Sequence, residues 1–336
     1  MSHQLVRNTA VRRTLAIAVS AGLAVAGLSA CSSPAESPAE SPGSSSAAEE
    51  TSFPEKDINF IVQAAAGGGS DLSSRALAAQ LEEILDVSIV VENRPGASGS
   101  TAMQYVAGAE PDGYTIGFVP VEIAMLEHLG FDVKPDNYDF LGQIMFSPGV
   151  IAVPADSPYE TLEDLVDASK DKAITVSNSG AGSVWEAATL ALADEAGADL
   201  TPVPFDGGAP AVAAALGSQV DAVVAGAGET AQAHADGTLR VLALFNDEEH
   251  AMLEGVPTAE SEGYDVLFGG WGGVYAPAGL PDDVKKVLTD AIEEGAQSDG
   301  FADTITPSGA LTVYKSPEEF TEFVNSESER FSTLLP

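Results

Sequence analysis

A chain of 336 residues that is 45% apolar can bury a substantial core, and its length leaves room for about two domains. Its 51 acidic residues against 14 basic ones give a formal net charge of −37, which excludes nucleic acid as a partner because no basic surface is left to neutralise phosphates. A single cysteine, Cys31, excludes any disulfide within the chain.

The N-terminal thirty residues read as a targeting segment. Arg7, Arg12 and Arg13 precede an apolar run from Leu15 to Leu28, which is too short to span a bilayer and has the layout of a secretory signal. It ends Leu28-Ser29-Ala30-Cys31, the pattern of a bacterial lipoprotein signal after whose cleavage Cys31 becomes a lipidated N-terminus. The other reading is an ordinary signal with an incidental cysteine. Loss of the three arginines leaves 11 basic against 51 acidic residues, a charge of −40. From Ser32 to Ser52 the chain is Ser, Pro, Glu, Ala and Gly with almost nothing to bury, so a disordered tether is expected. At about 3 Å per residue it would hold the folded part some tens of ångströms from a membrane.

The folded part opens with a strand over Ile58-Asn59-Phe60-Ile61-Val62 that runs through Ala65 and Ala66 into Gly67-Gly68-Gly69-Ser70-Asp71. Leu72, Ala76, Leu77, Leu81, Ile84 and Leu85 then recur at helical spacing, with Ser70 or Asp71 as the N-cap. Glycines without Cβ let backbone N–H groups approach a ligand, and the unsatisfied first-turn amides favour negative charge there. The stretch is either an anion cradle or a tight strand-to-helix turn. It lacks the Gly-Lys-Ser/Thr of a P-loop and the G-x-G-x-x-G of a dinucleotide site, so of the anions a small carboxylate remains.

A short strand at Ser88 to Val91 leads to Glu92-Asn93-Arg94-Pro95-Gly96-Ala97-Ser98-Gly99-Ser100, where Ser98 or Ser100 caps a second helix. Glu110-Pro111-Asp112-Gly113 ends it, and a third strand runs from Tyr114 to Val119. This alternation argues for a mostly parallel α/β sheet with ligands at the carboxyl ends of its strands. Gly149 to Pro154 reads as a crossing strand. Ile174 to Ser177 reads as another, running into Asn178-Ser179-Gly180-Ala181-Gly182-Ser183 and a helix through Trp185. That repeats the opening device, so two cradles are expected across a cleft, or else two tight turns. Pro202 to Pro210, with Phe205 and Asp206, precedes an alanine-rich helix, and strands follow at Val220 to Gly226 and Leu239 to Leu244. Gly226-Ala227-Gly228-Glu229 is a further candidate for the cleft. Phe268 to Pro277 is expected to cross back, and amphipathic helices at Asp282 to Ala296 and Pro317 to Phe331 to close the first half.

The succession AAAGGGSD, VVENRPGASGS, AEPDGYTIG, VSNSGAGSVWEAA, VPFDGGAPAVAAALGSQVDAV, GTLRVLALF, VPTAESEGYDV and FGGWGGVYAPAGLP resembles the Bug-type substrate-binding proteins of tripartite tricarboxylate transporters over nearly all of Phe53 to Pro336. The resemblance implies a two-lobed type II periplasmic-binding-protein fold, each lobe a mostly parallel sheet flanked by helices. It assigns 53–150 with 275–336 to one lobe and 151–274 to the other, after a signal at 1–30 and a lipidated tether at 31–52. It also implies an extracytoplasmic receptor, anchored by lipid, that delivers a di- or tricarboxylate to large and small membrane subunits. A sensor that signals to a kinase is the alternative. In that family the Phe205–Asp206 loop contributes to the cleft wall, while Asp206 otherwise reads as a helix cap. Glu186 stands where some relatives carry histidine, so ligand identity does not transfer with the fold.

The ligand-binding residues expected are therefore Ala65, Ala66, Gly67, Gly68, Gly69, Ser70 and Asp71 on one side, and Ser179, Gly180, Ala181, Gly182, Ser183, Trp185, Phe205 and Asp206 on the other. Trp185 is either a cleft wall or core. Asp71 is either a helix cap or a partner for an ammonium. Arg75 is expected to turn away toward Glu82 or Glu83, and Arg94 either braces its loop or meets ligand. Hydrogen bonds to a charged group contribute roughly 1.5 to 3 kcal/mol each. Four or five of them reach the ~8 kcal/mol of micromolar binding without a buried arginine. No catalysis, cofactor or metal is expected. His128, His234 and His250 have no metal-ligand spacing, no G-x-S-x-G elbow is present, and no thiol is free once Cys31 is acylated. A monomer is expected.

Overall fold

A computed structural model describes residues 52–334. The signal segment, Cys31 and the tether up to Thr51 lie outside the described residues. Ten strands and nine α-helices make up the rest. The first group is β1 (Ile58–Val62), α1 (Gly69–Leu85), β2 (Ile89–Asn93), α2 (Ser100–Ala107) and β3 (Thr115–Pro120). Then come β4 (Tyr138–Pro154), α3 (Leu162–Ser169), β5 (Ile174–Asn178), α4 (Val184–Ala196), β6 (Leu200–Pro204), α5 (Gly208–Leu216), β7 (Ala222–Gly226), α6 (Ala227–Ala235) and β8 (Leu239–Phe245). The chain closes with β9 (Gly269–Pro277), α7 (Asp282–Ala296), α8 (Asp299–Ile305), β10 (Leu311–Lys315) and α9 (Pro317–Leu334).

The strand order is β2-β1-β3-β9-β4-β7-β5-β6, with β8 and β10 also paired to β4. The outer three strands of each half are parallel: β1 lies between β2 and β3, and β5 between β6 and β7. The middle is antiparallel because β4 and β9 carry the chain between the halves. The first part of β4 pairs with β9 and β10, and its last residues pair with β7 and β8. β4 is 17 residues long, whereas the sequence reading took only Gly149 to Pro154 as a strand. The part missed, Tyr138 to Ser147, is largely buried and so lacks the clean two-residue alternation of a one-sided strand.

The burial patterns explain the helices. The α1 stripe Ala76, Leu77 and Leu81 packs with Ile58, Phe60 and Ile116 of the sheet and with Leu288 and Ile292 of α7. In the second half Ala211, Val212, Ala214 and Ala215 of α5 pack with Val223 and Ala225 of β7 and Val150 of β4. On the α9 side, Phe320, Val324 and Phe331 are fully buried, and Trp271 meets Phe320 and Phe323 edge to face. Both parallel wings end their strands in glycine-rich turns that enter α1 and α4, and this places the two turns at the same junction.

Candidate functional site

Two adjoining cavities occupy that junction. One, of about 620 Å³, is lined by Ala65, Ser70, Ser179, Gly180, Ala181, Gly182, Ser183, Phe205 and Asp206 of the residues expected from sequence. The other, of about 590 Å³, is lined by Gly69, Ser70 and Trp185 together with Phe118, Ser147, Gly226, Gly228, Glu229, Trp271 and Ser308. Ser70, Pro120 and Glu122 belong to both walls, so the two form a continuous cleft. Ala66, Gly67, Gly68 and Asp71 line neither.

The first turn is built differently from the expectation that Ser70 or Asp71 caps α1. Gly68 is the N-cap, and no side chain bonds there. Gly67, at φ +87°, turns the chain so that its N–H donates to Asp71 Oδ2 at 2.9 Å. Asp71 Oδ1 also accepts from Asn93 Nδ2 at 2.8 Å, and both carboxylate oxygens accept from Arg75 Nε at 3.0 and 3.1 Å. Burial alone would raise the Asp71 pKa, but the bonds from Arg75, Gly67 and Asn93 outweigh it and hold the group down at about 2. Arg75 therefore pairs with Asp71 one turn before it, and not with Glu82 or Glu83 as expected. Arg94 braces its loop: it pairs with Glu92 at 2.9 Å and lies over the Tyr105 ring at 3.6 Å.

The second turn repeats the device. Gly182, at φ +71°, donates its N–H to Glu186 Oε2 at 2.6 Å, while Ser183 caps α4 by accepting from the Glu186 N–H at 3.2 Å. A third copy opens α6, where the Gly226 N–H donates to Glu229 Oε2 at 2.9 Å. Each of these helices carries an acid in its third position that reaches back to an amide of its own turn. What the turns leave open are the N–H groups of Gly69 and Ser70 on one side and of Ser179 and Ala181 on the other, which have no partner among the described residues. The Ser70 hydroxyl accepts from Gln63 Nε2 at 2.9 Å and keeps its proton for a ligand.

Three further groups escaped sequence reasoning. The segment Pro95 to Gly99 lines the larger cavity, with Ala97 and Ser98 both held at positive φ, 48° and 54°. Strained backbone in non-glycine residues is the kind of feature that collects at ligand sites, but sequence reads this segment only as a turn and a helix cap. Trp271, 2% exposed, forms part of the smaller cavity and donates Nε1–H to Glu327 at 3.3 Å. Glu122 has no side-chain partner among the described residues, and burial raises its pKa, with only its own backbone N–H opposing. Glu229 is raised as well, by burial first and against the Gly226 N–H, although one face of it meets the solvent in the cleft. Trp185 is both of the things weighed for it, core-packed at 8% exposure and part of the cleft wall. No Lys, Arg or His among the described residues lines either cavity. Among the described residues no group of three His, Cys, Asp or Glu is placed to hold a metal, and no helix is long and apolar enough to cross a membrane.

The fold recurs in known proteins. A TctC solute-binding protein from Polaromonas shares 28% identity, with a TM-score of 0.77 over 84% of this chain and 98% of its own. MatC of Rhodopseudomonas palustris, solved with bound malate, is 26% identical at a TM-score of 0.70, over 84% of this chain and all of its own, 100%. A UPF0065 protein of Bordetella bronchiseptica is 27% identical over 294 residues, which are 86% of this chain and 88% of that protein. The model of the tripartite tricarboxylate transporter family receptor matches residues 73–336. With that match over most of its length and the α/β two-lobed fold of those binding proteins, the chain belongs to the tripartite tricarboxylate transporter receptor family, which binds solutes and does not turn them over.

Proposed function

We propose that this protein is an extracytoplasmic receptor that captures a small organic acid of the di- or tricarboxylate kind between its two lobes and delivers it to the membrane subunits of a tripartite transporter. The observation that carries the reading is the pair of glycine-rich turns at one cleft, whose amides at Gly69, Ser70, Ser179 and Ala181 are free to bind a carboxylate. Malate bound to MatC supports the ligand class. The lobes are 53–150 with 275–336 and 151–274, and β4 and β9 are the strands that flex when they close. Cys31 carries the lipid that tethers the domain outside the membrane. Ala65, Gly69 and Ser70 on one side and Ser179 to Ser183, with Trp185, Phe205 and Asp206, on the other form the two faces of the site, while Ala66, Gly67, Gly68 and Asp71 shape the first turn.

A thermal-shift screen of the purified protein against mono-, di- and tricarboxylates and amino acids, with calorimetry on each hit, tests the reading. Stabilisation by an organic acid that is lost in Gly69→Asp, where a Cβ meets nothing within 4 Å but the new charge faces the ligand, is the expected result. A folded protein that responds to no organic acid would sink it. For the anchor, Cys31→Ala should move the protein from the membrane to the soluble fraction, and an unchanged distribution would refute lipidation at that residue.

A further inference from the structure

The cleft holds acids that a simple carboxylate ligand gives no use for. Glu122 belongs to the wall common to both cavities, Glu229 to the smaller cavity and Asp206 to the larger, and among the described residues no cationic side chain lines either one. The rest of the molecule makes this worse, because the full chain carries a net charge of −37. A dianion would have to displace water from Glu122 and Glu229; among the described residues no side chain pairs with Glu122, and Glu229 accepts only from the Gly226 N–H. Glu122 is half-buried and Glu229 is open to the cleft, so a second anion seated beside them would shut both from water without a counter-charge, and that is costly.

The two cavities differ in a way that divides the work. The larger one presents Ser70, Ser179 and Ala181 with their free amides and the hydroxyls of Ser70, Ser98, Ser179 and Ser183, while Gly69 lines the smaller. The smaller one presents Trp185, Trp271, Phe118 and Met145 beside the two glutamates. Indole faces combined with carboxylates are the usual surroundings of an ammonium group, attracted by the ring quadrupole and by the charge. Gln63 adds an acceptor on the larger side: its Oε1 is shut from solvent and has no partner.

Resting on the organic-acid reading, we propose that the acid this receptor takes also carries an ammonium group, which lies between Glu122 and Glu229 on the Trp185 and Trp271 side while its carboxylate meets the two glycine-rich turns. The ammonium supplies the counter-charge that the protein withholds from its own cleft. Asp71 is not that partner, since Arg75 and Asn93 already occupy it.

Calorimetry with two matched pairs of probes tests this at neutral pH: malate against aspartate, which differ by hydroxyl for ammonium, and succinate against 4-aminobutyrate. At least one amino acid is expected to bind about tenfold or more tighter than its counterpart, and Glu122→Gln to weaken it by a similar factor while leaving malate unchanged or improved. Glu229→Gln is expected to act alike. Because Glu229 also holds its own turn, Glu122→Gln decides if that second variant does not fold. Malate and succinate both binding as tightly as their amino counterparts, or the preferred amino acid indifferent to Glu122→Gln, overturns the ammonium inference and leaves the organic-acid receptor standing. Binding by none of the four overturns the inference, and silence across the wider carboxylate screen then overturns the receptor reading with it.

Discussion

Closure of the cleft can be probed at the point where the halves touch backbone to backbone. Gly228 lies in the first turn of α6, which packs on β4 and β8 of the second half, and it faces Ser308 and Gly309 in the segment joining α8 to β10 of the first. A Cβ on Gly228 would stand 1.9 Å from the Ser308 carbonyl oxygen and 3.3 Å from Gly309 Cα. Ordinary contact begins near 3.4 Å, so Gly228→Ala requires the rim to part by about 1.5 Å, against backbone that has no rotamer to give. Gly228 itself is not in a left-handed conformation, and alanine is the better helix former by up to about 1 kcal/mol, so an open arrangement loses nothing and stands to gain. Overpacking of this kind costs roughly 1 to 3 kcal/mol. Since it falls only on the closed arrangement, affinity for the ligand should weaken about 5- to 150-fold while the melting temperature of the ligand-free protein holds or rises. Calorimetry and small-angle scattering on the variant read both effects, the second as a larger radius of gyration in the presence of ligand. Wild-type affinity and an unchanged radius would refute the argument that this contact belongs to the closed form.

Three other perturbations follow from single features. Asp71→Asn removes a charge held at a pKa of about 2 against 3.8 in the unfolded chain. A depressed carboxylate contributes stability above its unfolded pKa and loses it as pH falls through the folded one. The shift corresponds to about 2.4 kcal/mol, discounted to roughly 1 to 2 because Arg75 is half exposed to screening solvent. Urea denaturation of both proteins should show that difference at pH 7 and about half of it at pH 3; a gap that does not narrow would mean the carboxylate is not charged in the fold. Gly272→Ala would set a Cβ 2.1 Å from the Phe118 ring in the centre of the sheet, so a loss of about 3 kcal/mol or more in urea unfolding is expected, partly recovered by Phe118→Leu. Both tryptophans line the smaller cavity, so ligand binding should change intrinsic emission, with Trp185→Phe and Trp271→Phe dividing the signal between them.

The parts of this fold that sequence disclosed are those where a strand meets a glycine turn and a helix with one apolar face. The approximate positions of β1, β3, β5, α1 and α4 follow from that pattern, and so do both turns. What sequence hid has physical causes. The first part of β4 is buried from several sides and so has no alternation to read, while β10 and α8 are only five and seven residues long. Arg75 is expected from sequence to turn away toward Glu82 or Glu83, but Asp71 stands at the i,i+4 position, where such pairs form, and takes it instead. Pro95 to Gly99 gave no sign of its strain, because alanine and serine at positive φ are imposed by the surroundings and not chosen by the residue.

The acids at the helix starts were legible, and their meaning changes the chemistry of the site. Asp71, Glu186 and Glu229 each follow a glycine-containing turn at the third helical position, where a carboxylate reaches back to an amide of the turn. A glycine-rich turn followed by such an acid is therefore partly filled by its own protein, and its attraction for an external anion is reduced by the charge it already holds. That leaves Gly69, Ser70, Ser179 and Ala181 as the amides still open to a carboxylate, at a cleft whose remaining ionisable groups are all acidic. The selectivity of the receptor then depends less on how strongly it holds a carboxylate than on what the ligand brings to Glu122 and Glu229. On the ammonium proposal, Glu122 and Glu229 are the two positions at which this receptor separates dianions from ammonium acids.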